Sequence, residues 1–242
     1  MSRLWRTVNK FARKFSSVDE SEMARFSAQA SEWYNPNGPY ALLHKMNPIR
    51  TGFIRQHLEL FNPQSTPSKP FKGLNVLDIG CGGGFLSNSL FRLGANVTGV
   101  DANFDNIQTA KQYNPKINFV HSKIEDIQTE YDVVVGLEIL EHVTDPAAFV
   151  NECFRVTKPG GMLFFSTINR NLKSYLGTIF IAEGLGWVPK GTHTYDKYIT
   201  PDELKEMCGG FAGLKGMEYI PGCGFKLTND TSMNYIAAVK KE

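Results

Sequence analysis

The chain has 242 residues, of which 42% are hydrophobic and 21% charged, a composition that suits one folded α/β domain and argues against wholesale disorder. No apolar run approaches the roughly 18 residues of a membrane-spanning helix. The formal net charge is +2, but without the five basic residues among the first eighteen, 21 basic residues face 24 acidic ones. This mildly acidic body argues against general binding to nucleic acid.

The first eighteen residues form a basic amphipathic leader. Apolar residues recur at helical spacing from Leu4 to Phe15, basic residues lie between them, and no acid occurs before Asp19. Such segments are typical of mitochondrial transit peptides, and the continuous apolar stretch of a secretory signal is missing. We therefore predict that residues 1–18 are a transit peptide. A helix docked on the domain or on a membrane surface is the alternative.

Residues 19–72 are predicted to form an N-terminal helical segment that ends in a proline-rich linker with Pro63, Pro67 and Pro70. From residue 73 onward, short apolar runs alternate with helical patterns. The predicted strands lie at 76–77, 96–100, 118–121, 131–136, 161–167, 216–220 and 234–239. This alternation predicts one domain over 73–242, built on a seven-stranded, mostly parallel sheet with helices on both faces.

A glycine-rich loop follows the first predicted strand. It reads Asp78-Ile79-Gly80-Cys81-Gly82-Gly83-Gly84, a D-x-G-x-G-x-G spacing. Glycines let the backbone turn sharply and let a ligand lie against bare main chain, and the next helix offers free N–H groups. Phe85 stands where the dinucleotide fingerprint G-x-G-x-x-G needs its third glycine, which weakens a pyrophosphate-binding interpretation.

An acidic residue follows the glycine loop at the sequence separation that is typical of ribose-binding sites. Asp101 ends the second predicted strand, 21 residues after Gly80. A carboxylate placed there can accept hydrogen bonds from both hydroxyls of a ribose. S-adenosylmethionine has a ribose and no pyrophosphate, so it fits better than a dinucleotide. We predict S-adenosylmethionine as the cofactor, bound by Gly80, Gly82 and Asp101; a glycine turn without a ligand is the alternative.

Two acids and a histidine follow the fourth predicted strand, in Glu138-Ile139-Leu140-Glu141-His142. On a helical turn, positions i, i+3 and i+4 share one face, so Glu138, Glu141 and His142 are predicted to hold a divalent metal, namely Mg²⁺, Zn²⁺ or Mn²⁺. A metal would lower the pKa of a phenol, which is near 10 in tyrosine, and fix its oxygen. His142 or the carboxylates could instead act as a general base, and an acidic helix start with a capping histidine is the structural alternative.

These stretches resemble the ubiquinone-biosynthesis O-methyltransferases. The likeness covers nearly everything after the leader. It is carried by residues 43–50 (LHKMNPIR), 76–101, 137–143 (LEILEHV), 164–171 (FFSTINRN) and 188–193 (VPKGTH). Two positions depart from the pattern: Tyr34 replaces the second tryptophan of a pair that begins at Trp33, and Thr194-Tyr195 stand where the family often has an acid and a tryptophan.

The resemblance implies a Rossmann-like class I methyltransferase fold and methyl transfer from S-adenosylmethionine to catechol-type hydroxyls of polyprenylated precursors, in both O-methylation steps of ubiquinone biosynthesis. It implies that Arg50, Gly80, Asp101 and Leu137 contact the donor, with Arg50 on its carboxylate. It also implies that Glu138, Glu141 and His142 hold the metal, with Mg²⁺ the first choice. For the protein as a whole, it implies work on the matrix side of the inner mitochondrial membrane beside other ubiquinone-biosynthesis enzymes.

Residues 171–192 interrupt the alternation after the fifth strand and form a largely apolar helical insertion. The insertion is predicted either to dock on a membrane, where a polyprenyl substrate resides, or to close as a lid. Two other functions stay open at this level. One is methylation of another small molecule or of RNA, although no N-P-P-Y-like motif follows the fourth strand. The other is a cofactor-binding scaffold without catalysis.

Overall fold

A computed structural model of the chain describes residues 16–59, 62–176 and 195–242. Most of the predicted leader and most of the predicted insertion lie outside the described residues. The helices are α1 (Glu20–Gln29), α2 (Ala41–Leu58), α3 (Phe85–Arg92), α4 (Phe104–Tyr113), α5 (Pro146–Arg155), α6 (Leu172–Tyr175) and α7 (Pro201–Cys208). Short 3₁₀ helices cover Ala30–Tyr34, Ile124–Asp126, Leu140–His142 and Tyr195–Lys197.

The strands assemble into one mixed sheet. They are β1 (Asn75–Ile79), β2 (Asn96–Asp101), β3 (Asn118–His121), β4 (Tyr131–Leu137), β5 (Thr157–Ile168), β6 (Gly213–Ile220), β7 (Gly224–Thr228) and β8 (Asn234–Lys240). The order is β3-β2-β1-β4-β5-β8-β6-β7. Strands β1 to β5 are parallel, whereas β8 runs antiparallel between β5 and β6.

The described part of the chain has eight strands, one more than predicted. The additional strand is β7, which pairs antiparallel with β6 across a short turn that includes Pro221 and Gly222. A turn of this kind, followed by alternating Phe225 and Leu227, is a hairpin signal that the predicted strands did not include. The hairpin matters for the site because Phe225 lines the cavity described below.

Helices cover both faces of the sheet, as predicted. Alternate residues of β4 point to opposite faces: Val133 and Val135 belong to one apolar cluster and Val134 to the other. The first cluster packs against α2, α3 and α4, and the second against α5 and α7. Phe53 and Ile54 of α2 are fully buried there, so the N-terminal helical segment belongs to the core and is not an appendage.

The end of the predicted leader is part of the folded domain. Ser17 is buried, and its amide and hydroxyl donate to the Glu125 carboxylate at 3.1 and 2.9 Å. Val18 forms a β-bridge with Val143. Residues 16–18 therefore belong to the folded domain, since Ser17 and Val18 form hydrogen bonds and a β-bridge with residues 125 and 143.

The predicted insertion begins at α6, whose first turn is capped by Asn171. Leu172 and Leu176 are exposed here, with 70% and 44% of their surface accessible. Residues 177–194 lie outside the described residues. In the parts that the structure describes, no helix is both long and apolar enough to cross a membrane.

Candidate active site

A cavity of about 290 Å³ lies at the carboxyl ends of β1, β2 and β4. This is the edge at which open α/β sheets bind ligands. Its lining includes all the residues predicted for the site, namely Arg50, Gly80, Gly82, Asp101, Leu137, Glu138, Glu141 and His142. Side chains of α1 and α2 complete the wall, so the glycine loop and the acid–histidine cluster face one cavity.

The glycine loop is folded back onto β2. Gly80, Gly82 and Gly84 have φ angles of 71°, 52° and 84°, in the left-handed region that favours glycine. The amides of Gly80 and Cys81 both donate to the carbonyl of Val100, at 2.7 and 3.0 Å. These two hydrogen bonds hold the loop against the end of β2, where Gly80 and Gly82 line the cavity.

Asp101 is a bridge between the loop and the start of α4. Its Oδ2 accepts from the Gly82 amide at 2.8 Å, and its Oδ1 accepts from the Asn103 amide at 2.8 Å. Burial raises the pKa of Asp101, and these amide hydrogen bonds act in the opposite direction. Oδ1 also accepts a long hydrogen bond from Asn106 Nδ2 at 3.5 Å, whereas Oδ2 has only the Gly82 amide as a partner and keeps a lone pair for a ligand hydroxyl.

Arg50 brings a buried cation to the cavity. Only 5% of the residue is exposed, and its Nε makes no hydrogen bond within the described residues. Burial lowers the pKa of Arg50, whereas the nearby Glu138 and Asp78 carboxyls raise it. A buried guanidinium nitrogen without a partner is costly. The carboxylate of an amino-acid-like ligand would satisfy it, which is the fit expected for the methionine end of S-adenosylmethionine.

An aromatic wall that the sequence did not predict covers the glycine loop. Trp33 and Tyr40 are stacked, with ring centroids 3.7 Å apart, and both line the cavity. Trp33 Nε1 donates to Asn106 Oδ1 at 2.8 Å, and its ring lies against Gly82 and Gly83. In the sequence, Trp33 stands out as the first residue of the family's aromatic pair, but nothing there indicates its partner.

Glu138 is held in an unusual backbone conformation. Its φ of 53° is in the left-handed region, where the described residues include no other non-glycine residue. The Glu138 amide donates to Ser166 O at 3.0 Å, the Ser166 hydroxyl donates to Glu138 Oε1 at 2.6 Å, and Asn234 Nδ2 donates to Oε2 at 3.1 Å. Strain of this kind persists where surrounding contacts enforce it, often at functional sites.

The environment of Glu138 also changes its acidity. Burial raises its pKa to about 7, and the Glu141 carboxyl adds to the rise, against the opposing effects of Arg50, Ser166 and His142. A carboxyl group with such a pKa exchanges protons near neutral pH, which is what a general base requires.

Glu138, Glu141 and His142 do not form the predicted metal site. Glu141 Oε2 accepts from Thr167 Oγ1 at 2.8 Å, while His142 Nδ1 lies 3.2 Å from Glu22 Oε2. Within the described residues, no group of three or more His, Cys, Asp or Glu side chains is placed to hold a metal. The prediction assumed one helical face, but Glu138 has positive φ and only Leu140–His142 form a 3₁₀ turn. In this structure the three side chains are therefore not placed to share a metal.

Comparisons with known proteins place this site in a family. Residues 23–216 match a family model described as a methyltransferase domain. The ubiquinone biosynthesis O-methyltransferase of Idiomarina loihiensis is 41% identical over 250 residues, which cover 97% of this chain and 98% of the relative. The chain belongs to the ubiquinone-biosynthesis O-methyltransferases. The protein of the same name from Cereibacter sphaeroides is 43% identical, with 92% of this chain and 96% of the relative covered.

As a member of the ubiquinone-biosynthesis O-methyltransferases, this protein is an S-adenosylmethionine-dependent O-methyltransferase. Solved structures confirm the Rossmann-like methyltransferase fold. The magnesium protoporphyrin IX methyltransferase of Synechocystis, with bound S-adenosylmethionine, superposes with a TM-score of 0.62 at 16% identity, covering 95% of this chain and 100% of that chain. The N-methyltransferase NodS of Bradyrhizobium japonicum gives a TM-score of 0.58 at 14% identity, covering 91% and 97%.

The predicted mitochondrial location is wrong. Several ubiquinone-biosynthesis O-methyltransferases that match this chain are proteins of bacteria, among them Idiomarina loihiensis and Caulobacter vibrioides. An alignment that covers 97% of the chain includes most of the first eighteen residues. Transit peptides and ordinary surface helices share a basic amphipathic composition, so this composition does not by itself identify a subcellular location.

Proposed function

We propose that this protein transfers a methyl group from S-adenosylmethionine to a catechol-type hydroxyl of polyprenylated ubiquinone precursors, in both O-methylation steps of the pathway. The observation that carries the proposal is a single cavity that joins the glycine loop and Asp101 to the half-buried carboxylate of Glu138. The names of the matching relatives support the substrate class, because those proteins act in ubiquinone biosynthesis.

Five residues are assigned to the donor. Asp101 binds the ribose hydroxyls, Gly80 and Gly82 let the ligand approach the main chain, and Arg50 binds the carboxylate. Leu137 packs beside the bound donor at the end of β4. The unpartnered Nε of Arg50 and the remaining acceptor capacity of Asp101 support these roles.

The chemistry requires a proton acceptor beside the substrate. When bound, S-adenosylmethionine supplies a methyl group activated by a sulfonium leaving group. Glu138 accepts the proton of the reacting hydroxyl as the hydroxyl oxygen bonds to the methyl carbon, and the bond from that carbon to sulfur would break to leave a neutral thioether. Ser166 and Asn234 hold the Glu138 carboxylate in place. A pKa raised to about 7 by burial suits Glu138 to this exchange near neutral pH.

His142 and Glu141 complete the catalytic group. His142 lines the cavity and accepts a hydrogen bond from the neighbouring hydroxyl of the catechol. Glu141 accepts a hydrogen bond from Thr167, and its carboxyl group helps to raise the pKa of Glu138. Because the three side chains do not fit a shared metal, no step is assigned to one.

The polyprenyl chain of the substrate favours a protein that contacts a membrane. Polyprenyl chains partition into bilayers, and the exposed Leu172 and Leu176 at the start of the insertion could rest on a lipid surface. We propose that the protein binds the polyprenylated catechol or quinol substrate, contacts the membrane peripherally and associates with other ubiquinone-biosynthesis enzymes. Vesicle sedimentation of the wild type against Leu172→Glu tests the lipid contact.

A methyl-transfer assay tests the proposed reaction. The full chain is given S-adenosylmethionine and a short-chain prenylated catechol, and the products are measured by mass spectrometry. We expect a mono-O-methylated product, a kcat lowered at least a hundredfold in Glu138→Gln, and no change in Glu152→Gln, whose side chain pairs with Arg155 on α5 and does not line the cavity. Absence of the product, or unchanged turnover in Glu138→Gln, contradicts the proposal.

The same assay addresses the metal. Activity is measured after treatment with EDTA and again after addition of Mg²⁺, Mn²⁺ or Zn²⁺. We expect transfer to persist in the presence of EDTA. A loss of methyl-transfer activity that one of these ions reverses would contradict the metal-independent proton transfer to Glu138. It would imply that residues other than Glu138, Glu141 and His142 bind the ion.

A further inference from the structure

Helix α1 brings an acidic side chain to the histidine of the catalytic group. Glu22 Oε2 lies 3.2 Å from His142 Nδ1, and the Glu22 side chain is only 11% exposed. The Nδ1 atom is shielded from solvent and makes no well-aligned hydrogen bond within the described residues. Glu22 is the carboxylate that the fold places beside this nitrogen, from a helix far away in the sequence, and a small rotation of either side chain would align the hydrogen bond.

The imidazole ring is held from two further directions. The His142 amide donates to Ile139 O at 2.9 Å, which fixes the backbone of the 3₁₀ turn. The ring of Phe26, one turn after Glu22 on α1, meets the imidazole edge to face, with ring centroids 5.2 Å apart. These contacts limit the ring to an orientation in which Nδ1 faces α1.

Glu22 is itself held in place by cations. It pairs with Arg25 on its own helix, and Lys197 Nζ lies 3.5 Å from Oε1 and 3.0 Å from Asp19 Oδ2. Burial opposes ionisation of Glu22, but the contacts with His142, Arg25 and Lys197 outweigh it and lower its pKa. Glu22 is thus a charged, oriented acceptor.

We propose that Glu22 is a positioning residue for His142: it keeps the imidazole proton on Nδ1, so that Nε2 presents a lone pair to the substrate. This inference rests on the proposed function for the role of Nε2. The unprotonated Nε2 accepts a hydrogen bond from the hydroxyl beside the reacting one, and this contact determines which of the two catechol oxygens faces the methyl group. The identity of the tautomer follows from the partner of the other ring nitrogen.

The tautomer can be read without any substrate. The full chain is labelled with ¹⁵N-histidine, and the ring nitrogens of His142 are assigned by comparison with His142→Gln, about two pH units above the ordinary histidine pKa. We expect the proton on Nδ1 in the wild type and a shift toward Nε2 in Glu22→Met, which keeps the length of the side chain and removes the acceptor. Glu22→Gln retains a neutral oxygen and is expected to lie between them.

Catalysis provides a second readout with a matched control. We expect Glu22→Met to lower kcat about tenfold or more, with little change in the KM for the donor, and to release a mixture of the two mono-methylated regioisomers. Lys197→Met removes one of the other two ion pairs of Glu22 and leaves the Arg25 and His142 contacts, so its losses of kcat and regioselectivity are expected to be much smaller than those of Glu22→Met.

The outcomes separate this inference from the proposed function. The inference about Glu22 would be overturned if His142 of the wild type carries its proton on Nε2. It would also be overturned if His142 keeps the proton on Nδ1 in both Glu22→Met and Glu22→Gln. An equal loss of regioselectivity in Lys197→Met would do the same, because it would show that Glu22 only anchors α1. Failure of the wild type to methylate the catechol would instead refute the proposed function and leave the tautomer measurement valid.

Discussion

The indole ring of Trp33 lies so close to Gly82 that a β-carbon at this position would overlap the ring. Gly83 meets the same ring in the same way. The glycines therefore serve two purposes. They give the loop its left-handed backbone angles, and they admit the aromatic wall that connects the N-terminal segment to the cofactor site.

A pair of glycine substitutions separates these purposes. Gly82 and Gly209 have φ angles of 52° and 73°, but a β-carbon at Gly209 would meet nothing within 4 Å. We expect Gly209→Ala to cost about 1 kcal/mol from backbone strain alone, and Gly82→Ala to cost about 2–4 kcal/mol because overpacking is added. Urea denaturation measures both, and equal losses would show that Trp33 can move aside freely.

Asp101 is expected to dominate ribose recognition. Removing a charged hydrogen-bond acceptor from a buried site costs about 1.5–3 kcal/mol, so Asp101→Ala should raise the Kd for S-adenosylmethionine roughly tenfold to a hundredfold. Isothermal titration calorimetry measures this value. Asp105→Ala, an exposed acid in the first turn of α4, serves as the control and should bind normally. Unchanged binding in Asp101→Ala would remove its assigned role.

Glu138 should make stability fall as the pH rises. Burial, followed by the Glu141 carboxyl, raises its folded-state pKa to about 7 from an ordinary 4.5, so folding favours the protonated form. That contribution is complete below about pH 4.5 and is lost as the pH rises through about 7. Relative to Glu138→Gln, the wild type should lose about 3 kcal/mol across this window.

Urea denaturation at several pH values checks the slope and its sign. Glu203 provides the contrast, because its contacts with Thr200 and Arg170 outweigh burial and lower its pKa. Its contribution is present above its unfolded pKa and disappears as the pH falls, so Glu203→Gln should differ from the wild type in the opposite direction. Parallel curves for the wild type and Glu138→Gln would contradict the raised pKa.

Asn234 is expected to matter for turnover more than for binding. Its amide donates to Glu138 Oε2, and Asn234→Leu keeps the volume while removing the donor. We expect kcat to fall about tenfold with a smaller change in KM, since the carboxylate loses its fixed position. Steady-state kinetics measure both constants. Asn229→Leu, at an exposed site where the side chain contacts only Lys215 in the described hydrogen bonds, should behave as the wild type.

Local patterns allowed much of the site to be predicted. The spacing of the glycine loop and the position of Asp101 at the end of β2 depend on residues close together in the chain, and the cavity contains both. The hairpin strand β7 was missed although its turn was visible. The predicted metal set relied on helical periodicity and on the family resemblance, and the described residues do not support it, because the chain at Glu138 has positive φ.

By itself, the sequence determined the alternation of strands and helices, the cofactor loop and the set of residues at the carboxyl edge of the sheet. It could do so because apolar periodicity and loop spacing are short-range properties of the chain. Only the tertiary structure decided that Trp33 covers the loop, that Ser166 and Asn234 hold Glu138, and that Glu22 faces His142. These pairs come from distant segments, and the packing of α1, β5 and β8 around the cavity is what brings them together.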